Sequence, residues 1–265
     1  MKIKKLFPQF KSKAFIFSYD DGVEQDKRFI ALLDRYHFRA TFNLNSGLED
    51  FIWKHDCGLD IRRMNMREMY RLYDEHEIAS HTVDHPYMDY MSDDGIRYQL
   101  GHDKYQLEMK FNRHVSGFAV PFHYYDDRIK HIAMEMGFEY SRCSNFSYSF
   151  HPFDDFYQVT PTIFHKDDRL FKLLDQFYQS EEELPIFLLV GHTYDFDVYN
   201  NWDMIEKVMD ELSKHEDVIN LTTIEAVKYM KAMNDIEIID DQIINHSDID
   251  LYFEIDGKPV LVKAV

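Results

Sequence analysis

Two carboxylates stand side by side at Asp20 and Asp21, two imidazoles lie four residues apart at His81 and His85, and a further imidazole is found at His192. These side-chain types move protons near neutral pH and hold divalent ions. The carboxylates end an apolar, β-prone run, Phe15-Ile16-Phe17-Ser18-Tyr19, and are followed by Gly22. Side chains alternate along a strand and scatter beyond its end, so adjacent aspartates there can serve different targets, one a metal and the other a substrate. A plain strand-to-loop turn uses the same residue types. Histidines at i and i+4 share a helix face and can bind one ion. Pro86 disfavours the α conformation at His85, so the spacing predicts a single turn at a strand end rather than a long helix.

The elements that carry these residues alternate between two periodicities. Residues 25–37 place apolar side chains at Phe29, Ile30, Leu32, Leu33 and Tyr36, a helical pattern, and 39–44 then read as a strand. Asn43 and Asn45, near its end, suit a loop cap or a substrate contact, the cap being the simpler role. Residues 50–63 are irregular and read as a lid or an insertion. Asn65 N-caps a helix running to about residue 75. A short strand over 77–80 leads into His81. Residues 92–113 are helical, and 117–120 form a strand entering Pro121-Phe122-His123. A helix over 126–136 ends at Gly137. A strand follows over 140–143, an aromatic irregular stretch over 144–156 and an extended piece over 157–164. A helix over 167–179 precedes a fully apolar strand, 185–190. A helix (202–214), a strand (218–221) and a last helix (222–233) complete the pattern. Such alternation argues for a parallel sheet, and closure into a barrel puts chemistry at the C-terminal strand ends. Asp20, His81, Pro121, Arg142 and His192 all fall there. The tail differs: 236–244, 251–255 and 259–264 alternate apolar and polar residues, with Asp256-Gly257 as a type I′ hairpin signal. The expected organisation is a barrel over 1–234 and a β appendage over 235–265 that packs on it.

In order and spacing, the motifs resemble those of the polysaccharide deacetylase family, metal-dependent carbohydrate esterases with the NodB homology domain. The family's T-F-D-D-G stands here as Ser18-Tyr19-Asp20-Asp21-Gly22, and its H-[ST]-x-x-H is matched from His81 to His85. The resemblance runs from about Ala14 to about Met233. It implies a distorted seven-stranded (β/α) barrel of α/β class. It also implies that Asp21, His81 and His85 bind a divalent metal, zinc suiting the ligand set with cobalt, nickel or manganese as alternatives. Asp20 would be the general base and His192, in a Val190-Gly191-His192 version of L-x-H, the general acid. The backbone N–H of Phe122, after Pro121, would stabilise the oxyanion. The implied activity is hydrolysis of N-acetyl groups from an amino sugar, oligosaccharide or polysaccharide. Hydrolysis of a non-sugar amide or ureide is the alternative enzyme reading, and sugar binding without catalysis the non-enzymatic one.

Two departures are visible. The family's R-x-P-[YF] reads Ala119-Val120-Pro121-Phe122, without its arginine, and Arg142 at the end of the next strand is the expected replacement. The family's Asp ahead of a Trp, which partners the acid histidine, has no counterpart; Asp154 and Asp155 are candidates, although acidic loop residues are commonly just solvated. Trp53, Phe122, Tyr124, Tyr125 and Tyr194 lie near these motifs and could stack on a sugar face.

The composition is consistent with this reading. A chain of 265 residues with 22 Phe and 18 Tyr can bury a large single core. With 30 basic and 48 acidic residues the net charge is −18. That argues against nucleic acid and anionic membrane surfaces as partners and disfavours polyanionic substrates. Cys57 and Cys143 do not make a disulfide framework. The basic start has no apolar run behind it and no stretch is long enough to span a bilayer, so a cytoplasmic address is expected. No feature points to an oligomeric state.

Overall fold

The computed structural model describes residues 2–240 and 242–265. Met1 and Asp241, within the basic start and the 236–244 stretch read above, lie outside the described residues. The strands in chain order are β1 (Ile3–Leu6), β2 (Lys13–Asp20), β3 (Thr41–Leu44), β4 (Ile52–Lys54), β5 (Asp60–Arg62), β6 (Glu77–Ser80), β7 (Gly117–Ala119) and β8 (Tyr140–Arg142). They continue with β9 (Ile163–Phe164), β10 (Ile186–His192), β11 (Val218–Asn220), β12 (Glu237–Ile239), β13 (Gln242–Ile244), β14 (Leu251–Ile255) and β15 (Lys258–Val262).

The central sheet runs β8-β7-β6-β3-β2-β10-β9, with β11 beside the first half of β2. Its pairings are parallel throughout. All eight residues of β2 are buried, as a strand covered on both faces requires. The sheet curls into a distorted barrel. Residues 159–164 span the gap between its edges. The Val159 N–H donates to Ser141 O and the Cys143 N–H to Val159 O, each at 2.9 Å, while Ile163 and Phe164 pair with β10. The expected extended piece over 157–164 is thus split, opening with a 3₁₀ turn at Phe156–Gln158.

Alternation along β2 sorts its side chains. Phe15, Phe17 and Tyr19 join the outer core beneath the helices, with Phe29, Phe177 and Phe187. Ala14 and Ile16 face the interior with Leu188 and Val190 of β10. Asp20 and His192 continue that inward phase, and the two are in register. Both therefore emerge inside the barrel mouth.

The opposite end is closed by the helix Thr223–Asn234, which has a Thr222/Glu225 capping box. Against it lies an antiparallel sheet ordered β1-β14-β15, with Leu251 and Phe253 fully buried. Asp256 and Gly257 both adopt left-handed φ, +49° and +79°, as a type I′ turn requires. The pairing of β1 with β14 has no local signature in the sequence. Among the described residues, no helix is long and apolar enough to cross a membrane.

Three further segments depart from expectation. Residues 50–63 are a hairpin, β4 with β5, rather than irregular chain. The helix capped by Asn65 stops at Met69. Beyond it, Arg113 donates to the carbonyls of Tyr73, Asp74 and His76 at 3.0 Å, which satisfies a non-helical path. The long helical stretch runs as Asp93–Arg97, a π turn over Tyr98–His102 and Asp103–Phe111. Wide turns of this kind re-aim the side chains after them. Here Asp103 is buried and accepts from Ser80 Oγ (2.5 Å) and the Ser46 N–H (2.7 Å), bracing the ends of β6 and β3.

Phe187 is fully buried and stacks on Phe15 at 5.1 Å. Phe187→Ala should therefore cost about 3–5 kcal/mol in urea unfolding; a loss under about 1 kcal/mol would show that this aromatic cluster is not the core it resembles.

Candidate active site

Asp21 follows β2 with φ +87°, and Gly22 at +65° completes the turn. The Asp21 N–H donates to Asn43 O at 3.0 Å. His81 follows β6, and its backbone N–H donates to Leu44 O at 2.7 Å. The His81 ring is fixed by Nδ1, 2.9 Å from Ala119 O, which leaves the Nε2 lone pair facing the cavity. Burial pushes its pKa down to about 4, against the pull of Asp20, so the ring is neutral at pH 7. His85 returns through a single tight turn in which Thr82 and His85 have φ of +68° and +52°. The His85 N–H donates to Thr82 Oγ1 at 3.1 Å. Nε2 of His81 and Nε2 of His85 each lie 3.9 Å from Asp21 Oδ1. One ligand atom from each residue falls within 4.8 Å of the others. Two neutral imidazoles and an ionised carboxylate with an open side match the donor set of a catalytic divalent ion, so these residues fit one.

Asp20 is held beside this cluster. Arg142 Nη2, from the end of β8, lies 2.6 Å from both carboxylate oxygens. Asn43, expected as a loop cap, is instead buried in the barrel and donates from Nδ2 to Asp20 Oδ1 (2.7 Å) and Ser18 Oγ (2.9 Å). Burial raises the Asp20 pKa, but Arg142 with His81 and His192 more than offsets it, and the group sits below the ordinary carboxylate range. Arg142 and Ala119 are register partners on β8 and β7. The guanidinium therefore enters from the strand beside the one where the resemblance would put it.

His192 Nδ1 lies 3.3 Å from Asp195 Oδ2. Asp195 also faces His165 Nε2 at 3.5 Å, and His165 Nδ1 is 3.2 Å from the Tyr19 hydroxyl. Burial lowers the His192 pKa, but Asp195, Asp21 and Asp20 outweigh it and raise the group above its ordinary value. The sequence candidates for this partner, Asp154 and Asp155, are elsewhere. Asp155 caps the 3₁₀ turn and pairs with Lys130, and neither residue lines the cavity. The available signal was the His192-x-x-Asp195 spacing, which puts both on one turn. Gly191 is required here, since a Cβ would fall 2.1 Å from His165 Nδ1.

Asp20, Asp21, His81, His85, Arg142 and His192 line a cavity of about 270 Å³ at the barrel mouth. Its apolar wall comes from Val120, Phe122, Phe146, Phe164 and Val190. Pro121 leads into Phe122, whose φ is +57° and whose N–H donates to no acceptor among the described residues. The Phe122 ring stacks on Tyr87 at 3.7 Å and meets His85 edge-on. Of the other aromatics flagged from sequence, Tyr194 lines the cavity and Trp53 packs edge-on against it at 5.4 Å. Tyr125 is committed to Tyr157 O, and Tyr124 is exposed and bonded to Asp126. Sequence reasoning missed Phe146, Phe164, Tyr87 and Arg63. Arg63 is buried, with Nη2 2.7 Å from Asp21 Oδ1.

The polysaccharide deacetylase family model matches residues 8–141, just over half of the chain. No curated protein sequence matches it. Among solved structures, a family 4 carbohydrate esterase from Bacillus anthracis is 16% identical over 84% of this chain and 86% of its own, with a TM-score of 0.55. The carbohydrate esterase domain of a multidomain xylanase from the hindgut metagenome of Trinervitermes trinervoides is 14% identical over 89% and 96%, with a TM-score of 0.54. A family 4 pseudoenzyme from Bacillus anthracis is 19% identical over 84% and 68%, with a TM-score of 0.51. At these identities the likeness is one of fold. Together with the matched family model, it leads to one conclusion: this chain belongs to the polysaccharide deacetylase family.

Proposed function

We propose that the protein is a metal-dependent hydrolase that removes N-acetyl groups from an amino sugar, oligosaccharide or polysaccharide. The observation that carries this reading is the convergence of Asp21, His81 and His85 on one point beside Asp20. Zinc suits that donor set, and a divalent ion held there supplies Lewis-acid polarisation of the acetamide carbonyl and acidifies water. Asp20, ionised and anchored by Arg142 and Asn43, takes a proton from the attacking water. The carbonyl oxygen gains charge as the C–O bond forms, and the Phe122 N–H, which has no acceptor among the described residues, would stabilise it. His192 gives its proton to the leaving nitrogen as the C–N bond breaks, which yields acetate and an amine. The raised pKa of His192 favours the protonated form that this step needs. The aromatic wall suits the acetyl methyl and an apolar sugar face.

Three measurements test this reading. The protein should release acetate from N-acetylated sugars, a chelator should abolish that release, and added zinc should restore it. Turnover confined to small cyclic amides, or sugar binding with no turnover, would overturn the proposal. Arg142→Ala should lower kcat on the order of 10²-fold or more, the scale of a general-base contribution, while zinc binding by calorimetry survives; unchanged turnover would remove Arg142 from the site. In Asp195→Asn the anion that raises the His192 pKa is gone. The alkaline limb of the kcat profile should then move to lower pH, since the acid loses its proton sooner. An unmoved limb would mean that Asp195 does not tune the acid.

A further inference from the structure

Arg63 belongs to none of the motifs, yet it reaches the centre of the candidate site. Its backbone is pinned beside the Asp21 turn: the Arg63 N–H donates to Phe51 O at 2.9 Å, and the Met64 N–H donates to Gly22 O at 2.9 Å. The side chain is buried, with Nη2 2.7 Å from Asp21 Oδ1 and Nη1 2.9 Å from Asp21 O. Oδ1 is the oxygen that both imidazoles face at 3.9 Å. Nη1 also donates to Asn45 Oδ1, and Asn45 Nδ2 donates to the carbonyls of His81 and Thr82. One guanidinium therefore touches the carboxylate directly and, through Asn45, the turn that carries both histidines.

We propose that Arg63 is the resident counter-cation of Asp21, holding the three-ligand cluster together when no ion is bound and limiting how tightly an ion then binds. The inference rests on reading Asp21, His81 and His85 as a metal site. An ionised carboxylate this deeply buried is costly without a partner. Arg63 removes that cost from the ion-free protein, so an incoming cation has less to gain. A carboxylate oxygen has two lone pairs, so Oδ1 can keep its bond to Nη2 while it takes up an ion. The guanidinium then stays close to the bound cation and repels it. The result is a preassembled site that loads and unloads readily instead of one that captures an ion and keeps it.

The test compares zinc titration calorimetry and thermal melts, with and without zinc, for the chelator-stripped full chain and two variants. Arg63→Met should melt below the wild type when ion-free. Zinc should raise its Tm by more than it raises the wild type's, and its zinc Kd should be tighter by about tenfold or more, the direction set by the lost repulsion. Arg63→Lys keeps the charge, and its Kd should stay within about threefold of the wild type if charge decides the effect. A Met variant that binds zinc no more tightly, or whose ion-free melt is unchanged, overturns the proposal. Should Arg63→Met fail to fold, ion-free melts of Asp21→Asn and of Asp21→Asn with Arg63→Met decide it. The double variant should be the more stable, because the single one strands a buried cation; equal stability overturns the pairing. Absence of zinc binding in the wild type would instead sink the metal reading, while the ion-free melts still judge Arg63.

Discussion

Two adjacent carboxylates buried at the end of one strand are the constraint around which the site is built. Asp20 and Asp21 are 8% and 6% exposed, and burial works against the charge of each. Like charges this close are tolerated only where opposite charge is supplied at short range. The fold brings one buried guanidinium to each: Arg142 to Asp20 from β8, and Arg63 to Asp21 from the end of the β4–β5 hairpin. The carboxylates are thereby kept apart in partner, one with Asn43 on its flank and the other with two imidazoles.

The imidazoles are tuned in opposite directions by what surrounds them. His81 is enclosed, bonded to a backbone carbonyl and neutral. His192 sits against Asp195 and two further carboxylates, which raise its pKa above the ordinary value despite burial. A metal ligand needs a free lone pair and a general acid needs a proton, so these opposite environments suit the two imidazoles to the different roles proposed for them. The chain from His192 through Asp195 to His165 and Tyr19 runs back into the aromatic core, where Tyr19 packs on Phe29. His192 is thus tied to the buried aromatic core, and Gly191 is the residue that makes room for the His165 ring.

Much of this was legible in the sequence because the chemistry-bearing residues lie at strand ends, where an apolar run stops abruptly. The barrel strands, the place of Asp20 and His192 at C-terminal strand ends, and the Asp256-Gly257 turn all follow from local pattern. What escaped depends on distant pairing. The β4 and β5 strands have three residues each and little apolar patterning, so the hairpin that delivers Arg63 carries no strand signal. The joining of β1 to β14 closes a loop of about 250 residues, which periodicity does not encode. Asn43 looked like a cap because Asn commonly is one, whereas burial on a central strand turned its amide toward Asp20. Asp195 was overlooked for the opposite reason, being only three residues from the histidine that it serves.

The missing arginine of the third motif shows how such a departure is absorbed. Ala119 is fully buried on β7, and its register partner on β8 is Arg142. Neighbouring strands lie about 4.8 Å apart, well within the reach of an arginine side chain. Moving the guanidinium one strand over therefore changes its origin and leaves its target in place, provided that the vacated position is small. An alanine at 119 meets that condition, and its carbonyl meanwhile accepts the bond that orients His81. The demand falls on a charge at a point in space near Asp20, and the barrel can meet it from either of two adjacent strands. A reading by linear motif sees a lost residue here, while the parallel register shows a guanidinium delivered to Asp20 from the neighbouring strand.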